Sequence, residues 1–311
     1  MKIPIYMITF LLLTVYLVGC GKEEIEFDTE IKYIQSEEFI SSESSEEENS
    51  EPEDIKETIV IDFTYDYTED IKADVDYAVS ASDSLQEELD NINKIIQKYT
   101  LLSESALTQP EMNAASQWLF AIWDTELNNL WGRFSDLADQ ETREKVLEEQ
   151  GNWIAMKKEV TLMCLGPQEA NGSMYSMLLN SLWEEKTKNR AYIIANELAK
   201  IMGEAFTMPE SSATYGLFVD NQGSGSVYSS LITRQDWEGK NEAIISIYRQ
   251  GTLEGSFIDN GNGTLTFTSE DSSIKGIIEI NGWDGATFEV TETMGDGIFS
   301  VGEKFEFSFV F

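Results

Sequence analysis

The sequence predicts an α+β protein of two domains, an all-helical bundle followed by an antiparallel β-sandwich or small β-barrel. Three observations predict it. Apolar residues recur at three- and four-residue spacing between about residues 68 and 205, they alternate with polar residues from about 212 to Phe311, and clusters of turn residues separate the alternating runs. With about 290 residues after a leader, the chain also exceeds what one small core usually takes, so two globular units are expected.

At the start, Met1-Lys2-Ile3 precedes an uncharged apolar run from Pro4 to Val18, which ends in Leu17-Val18-Gly19-Cys20. A short charged start, an apolar middle too short for a comfortable ~20-residue span and a small residue before the cut make residues 1–19 a signal peptide. The tetrad resembles the lipobox of bacterial lipoproteins, which implies that Cys20 is acylated and heads the mature chain. Each buried acyl CH₂ contributes about 0.8 kcal/mol, so several chains on one cysteine hold a protein firmly at a bilayer. The expected location is the extracytoplasmic face of the cell membrane, lipid-anchored through Cys20. Cys164 is then the one thiol left, and an internal disulfide is excluded.

Residues 20–57 are rich in Glu and Ser and poor in apolar side chains. Such a stretch cannot bury enough surface to offset the entropy of folding, and its like charges repel, so a disordered, extended tether is expected. Within the expected helical domain, 58–205, a leading strand is predicted over 58–67, because Ile59, Ile61, Phe63, Tyr65 and Tyr67 alternate with Val60, Asp62, Thr64 and Asp66. It would pair with the C-terminal β-domain or elsewhere.

Thr68 reads as the N-cap of a helix from Glu69 to about Tyr99, with Ile71, Val75, Ala78, Leu85, Leu89, Ile92 and Ile96 on its apolar face. Thr108 and Glu111 form a capping box, and Pro110 sits in the first turn where its missing N–H is harmless. The helix opened there carries Ala115, Trp118, Ile122, Leu127, Leu130 and Phe134. Glu141 to about Leu165 is helical until Gly166-Pro167 breaks it, and Ser173 to about Met202 is a further helix closed by Gly203. The all-β domain, 212–311, reads as about eight short strands ending in Phe305-x-Phe307-x-Phe309-x-Phe311, with Asp259 to Gly263 and Asn281 to Gly285 as turns.

Charge and composition restrict function. Fifty-seven Asp and Glu against 21 Lys and Arg, with no His, give a net charge of −36. That opposes nucleic acid and anionic lipid surfaces and makes a basic protein the natural complement. Without histidine there is no Ser-His-Asp or Cys-His arrangement and no His-containing zinc site. Paired carboxylates remain a route to hydrolysis, but acids are too abundant for any pair to stand out. Met163 and Leu165 flank Cys164, which marks it as a buried inert thiol. The 259–263 loop has glycines where calcium needs oxygen ligands, and Gly223 and Gly225 lack the Gly-Lys-Ser/Thr ending of a phosphate loop. The expectation is a protein that is not an enzyme and needs no cofactor or metal.

One series in the helical part is distinctive: Thr108-Gln109-Pro110-Glu111-Met112-Asn113, Asp124, Leu127-Asn128 with Trp131, Gln150 with Trp153, Lys157-Lys158-Glu159, Gly172-Ser173, and Thr187 with Arg190. Its order and spacing over about 105–200 resemble the N-terminal domain of the lysozyme inhibitor LprI family, a small helical domain of exported bacterial proteins. The family usually has cysteines after Met-Asn, after an Arg-Asp pair and before Thr-x-x-Arg. Here Ala114 stands near the first, the unpaired Cys164 near the second, and Lys158-Glu159 replaces Arg-Asp. The resemblance implies the fold and, more distantly, inhibition of lysozyme.

Each matched residue also has a structural reading. Asp124 and Asn128, one helical turn apart, could bond Arg190 or a helix end inside the bundle, or contact a partner. Trp131 and Trp153 read as core, and Gln109 and Asn113 as part of the hydrogen bonding at a helix start. The leading functional expectation is a non-catalytic surface lipoprotein that inhibits lysozyme. The alternative is glycan or peptide recognition by exposed aromatics of the β-domain, such as Trp237, Trp283 or Tyr228.

Overall fold

A computed structural model describes residues 61–224, 227–236, 238–294 and 298–311. The signal peptide, Cys20, the acidic tether and Trp237 lie outside the described residues, as do 58–60 of the expected strand. The described residues belong to one compact unit in which helices precede a β-sheet. None of the described helices is long and apolar enough to cross a membrane.

The helices are α1 (Thr68–Ala81), α2 (Leu85–Ser103), α3 (Gln109–Leu137), α4 (Gln140–Leu165), the single turn α5 (Gln168–Asn171) and α6 (Tyr175–Met202). The capping box is formed as the sequence predicts: Thr108 Oγ1 accepts from Glu111 N, and the Glu111 carboxylate accepts from Thr108 N at 2.7 Å. Asp139 caps α4 by accepting from Thr142 N at 2.9 Å, and Gly203 ends α6 at φ 71°, a left-handed conformation glycine adopts without strain.

Two local expectations are corrected. The single helix from 69 to 99 is two, because Ser84 accepts from Glu87 N while the Glu87 carboxylate accepts from Asp83 N, a second helix start inside the apolar repeat. The leading strand is not a strand over 61–67. Asp62 accepts from Thr64 N and Oγ1 and folds the chain into a turn, and Asp66 does the same for Thr68. The alternating aromatics serve packing instead: Phe63 stacks on Trp118 at 5.4 Å, and Tyr67 meets Trp118 and Tyr99 edge-on.

Nine described strands form one antiparallel sheet: β1 (Gly216–Ser224), β2 (Val227–Gln235), β3 (Asn241–Ile247), β4 (Gly251–Asp259), β5 (Thr264–Ser269), β6 (Ile274–Ile280), β7 (Ala286–Thr293), β8 (Lys304–Phe307) and β9 (Phe309–Val310). The order runs β8-β7-β6-β5-β4-β3-β2-β1-β9. The two outermost strands are therefore consecutive in sequence. The expected final strand 305–311 divides at Ser308: Phe307 faces Ala286 of β7, whereas Phe309 and Val310 face Val219 and Phe218 of β1. This resolves the sandwich-or-barrel alternative as a nearly closed barrel, which leaves few unpaired strand edges.

Alternation sorts the barrel's side chains into two cores. Phe218, Leu231, Ile245, Phe267, Ile278, Phe288 and Phe307 fill the interior. On the opposite face, Leu217, Val219, Ile232 and Phe311 join the helical core with Trp123, Leu130, Trp153 and Leu198. Strand β2 consequently has an uninterrupted buried run where it lies between barrel interior and helices.

Close approach inside the barrel yields a stability prediction. A Cβ on Gly276 would overlap the Phe288 ring and lie 2.5 Å from the Glu289 main-chain oxygen. Gly276→Ala should cost about 1–3 kcal/mol of unfolding free energy in urea titration, the range for overpacking. Gly132→Ala, on α3 with nothing within 4 Å, should stabilise by about 0.5–1 kcal/mol. Equal effects of the two substitutions would contradict this packing.

Candidate functional site

The distinctive series of the helical part divides into three places. At the start of α3, Thr108 is spent on capping. Next to it, Gln109 Nε2 donates at 2.9 Å to Oδ1 of Asn113, one turn on, and the Asn113 carbonyl accepts from Ser116 Oγ and Asn180 Nδ2. These bonds tie the first turns of α3 to α6, while Met112 remains 37% exposed beside them.

The second place is buried. Arg190 on α6 is 2% exposed and donates from Nε to Gln150 Oε1 of α4 at 2.6 Å, with Glu149 Oε2 3.9 Å from its Nη1. Burial lowers its pKa to about 10, against the opposing pull of Glu149 and Glu197. Its guanidinium also lies 5.7 Å from the centre of the Phe309 ring. Trp153, 3% exposed, meets Trp183 edge-on at 5.6 Å and stacks on Phe311 at 6.4 Å. Thr187 is fully buried on α6 one turn before Arg190. Around this group Lys186 Nζ and Asn189 Nδ2 donate to the Phe311 main-chain oxygen at 3.4 and 3.2 Å. Gln150, Trp153 and Arg190, with Thr187 buried beside them, thus join α4 to α6 at the place where the barrel's closing strand docks.

The third place lies along α3. Asp124 and Asn128 are joined at 3.4 Å, but neither reaches Arg190, whose partners are Gln150 and Glu149. Asp124 is paired electrostatically with Lys157 of α4 instead. Burial raises the Asp124 pKa and lowers that of Lys157, and the attraction between the two opposes both shifts. Lys157 Nζ sits 4.5, 5.0 and 5.9 Å from the ring centres of Trp183, Trp153 and Phe120, an aromatic enclosure that compensates a desolvated ammonium. Leu127 is buried, and Trp131 is half-buried and stacks on Phe134 at 5.7 Å.

Several residues of consequence carried no sign of their role. Lys157 was legible only as part of a charged triplet, and Phe309 and Phe311 only as strand residues. Glu126 stands among the apolar residues Trp123, Leu127 and Leu130 on a helix face, a placement visible in the sequence but diluted by 57 acids. Cys164 is half-buried and free, and burial pushes its thiol pKa up, away from the reactive range. Among the described residues no group of acids and cysteines is arranged to hold a metal ion.

Two of the three aromatics considered for glycan or peptide binding, Trp283 and Tyr228, are committed to the junction between helices and barrel. Trp283 Nε1 donates to the Pro209 carbonyl at 2.8 Å, and Tyr228 OH donates to Glu159 of α4 at 3.2 Å. A cavity of about 240 Å³ lies beside Trp283, lined by Tyr192, Tyr215, Phe218 and Phe311 among others.

Residues 103–193 match the family model described as Lysozyme inhibitor LprI. The matched segment spans α3, α4 and most of α6 and contains the residues of all three places, except that Glu197, Phe309 and Phe311 of the second lie outside it. No curated protein and no solved structure matches the chain.

Proposed function

We propose that the chain is a lipid-anchored, extracytoplasmic protein whose helical part binds and inhibits lysozyme without catalysing a reaction. The match of residues 103–193 to the lysozyme inhibitor family carries the proposal. Acidity supports it, because a net charge of −36 steers a basic enzyme toward the protein. The anchor is supported by the Leu-Val-Gly-Cys tetrad ending at Cys20, which would hold the inhibitor at the surface where a wall-degrading enzyme acts.

The family-pattern residues divide between scaffold and surface, and this division indicates where contact would fall. Gln150, Trp153, Thr187 and Arg190 are too deeply buried to touch a partner, so their role is to set the α3–α4–α6 arrangement. Exposed Met112 and Asn128, with half-buried Gln109, Asn113 and Asp124, remain available along α3. The alternative of glycan or peptide binding through the β-domain is weaker, since Trp283 and Tyr228 already serve the junction.

Binding kinetics test the proposal. Residues 58–311 captured on a surface should bind a basic lysozyme with an association rate that falls about tenfold or more between low and physiological ionic strength, while dissociation changes less. Absence of binding at low ionic strength, where attraction is strongest, would refute it.

A further inference from the structure

Glu126 is the most deeply buried acid among the described residues, with 0% of its surface exposed. It sits at the α2–α3 interface beside Glu88, which is itself 3% exposed. One cation serves both acids: Arg133 Nη1 donates to Glu88 Oε2 at 2.8 Å and Arg133 Nη2 to Glu88 Oε1, leaving Glu126 Oε1 4.0 Å from Nη2. As a carboxylate, Glu126 has no donor on either oxygen. Two buried carboxylates sharing one guanidinium that is already forked onto the first would leave a desolvated, unpaired charge. A proton removes that charge and supplies the missing donor at once.

We propose that Glu126 is a carboxylic acid in the folded chain, donates its hydrogen to Glu88, and makes that proton a ligand on which the α2–α3 contact depends. When pH rises, the proton passes to solvent, Glu126 becomes a second buried anion, and α3 is loosened from α2. The groups that face this site act in the same sense. Asp76 of α1, held by Asn129 of α3, adds negative charge, and Glu204 beyond α6 accepts from Leu85 N at the start of α2. Arg133, and Lys72 through its ion pair with Asp76 at 2.5 Å, oppose them. Burial first, then the bond to Glu88 and its charge, raise the Glu126 pKa well above 4.5.

The sign follows from proton counting. Above about pH 4.5 the unfolded chain releases this proton while the folded chain keeps it, so stability falls as pH rises and levels off once Glu126 ionises in the fold. Thermal unfolding of residues 58–311 between pH 5 and 9 should give a midpoint that falls in the wild type by about 5 °C or more beyond any fall in Glu126→Gln, whose amide keeps a donor toward Glu88 without a titrating proton. Parallel profiles for the two proteins would overturn the proposal. Infrared difference spectroscopy of the wild type reads buried protonated carboxyls, Glu126 among them, without a variant. A protonated carboxyl band present at neutral pH and lost on alkalinisation is expected; no such band at neutral pH would overturn the proposal even if Glu126→Gln failed to fold.

Discussion

Phe311→Ala is expected to destabilise the protein by about 3–5 kcal/mol and to do so in helices and barrel together. The side chain is 2% exposed and stacks on Trp153, while its N–H donates to the Leu217 carbonyl at 3.0 Å beside the pairing of β9 with β1. It therefore belongs to the helical core while it caps the seam of the barrel. Truncation leaves a cavity against an indole ring and weakens the segment that closes the sheet. In denaturant titration, tryptophan fluorescence, which reports chiefly on the helices, and far-UV circular dichroism should shift to the same lower midpoint. A loss below about 1 kcal/mol, or two separated transitions already in the wild type, would contradict a shared core.

Arg190→Ala should cost about 3 kcal/mol or more, for a different reason. The guanidinium is almost fully desolvated, and removing it strands Gln150 Oε1 in the interior while emptying the space over Phe309. Arg190→Lys should recover little of the loss. A lysine offers a compact charge in place of a planar fork, and it cannot place a donor toward Gln150 while packing flat against the ring. Urea unfolding of the three proteins checks this. Recovery of wild-type stability by lysine would mean that charge alone matters at this position.

Much of the architecture is legible in the sequence because it rests on local chemistry. Thr108 and Glu111 announce a helix start, Gly166-Pro167 and Gly203 announce ends, and apolar alternation after 212 announces strands. What escapes is decided by partners far along the chain. Phe305 to Phe311 reads as one strand, and only the positions of β7 and β1 make Ser308 the point where it changes neighbours. The alternation over 58–67 is real, yet Asx turns at Asp62 and Asp66 override it and aim the aromatics at Trp118. Ser84 and Glu87 did carry a readable helix-start signal, masked by an apolar repeat that runs through it.

The same division applies to the candidate site. Spacing brings out the family pattern, and the structure places its Gln150, Trp153, Thr187 and Arg190 together at one buried junction. The guess that Asp124 bonds Arg190 fails because Asp124 lies beside Lys157 and its aromatic enclosure, a cross-helix arrangement with no signature in either segment. Glu126 is invisible for a statistical reason: one functional-looking acid cannot be picked from so acidic a chain until its burial is known.

Inhibition itself is the most direct test of the account. Residues 58–311, titrated into a lysozyme digesting cell-wall substrate at low and at physiological ionic strength, should lower the rate in a saturable way, with less inhibition at the higher salt. Full lysozyme activity at every concentration and at both ionic strengths would contradict the proposed function and leave the resemblance to the inhibitor family as one of fold.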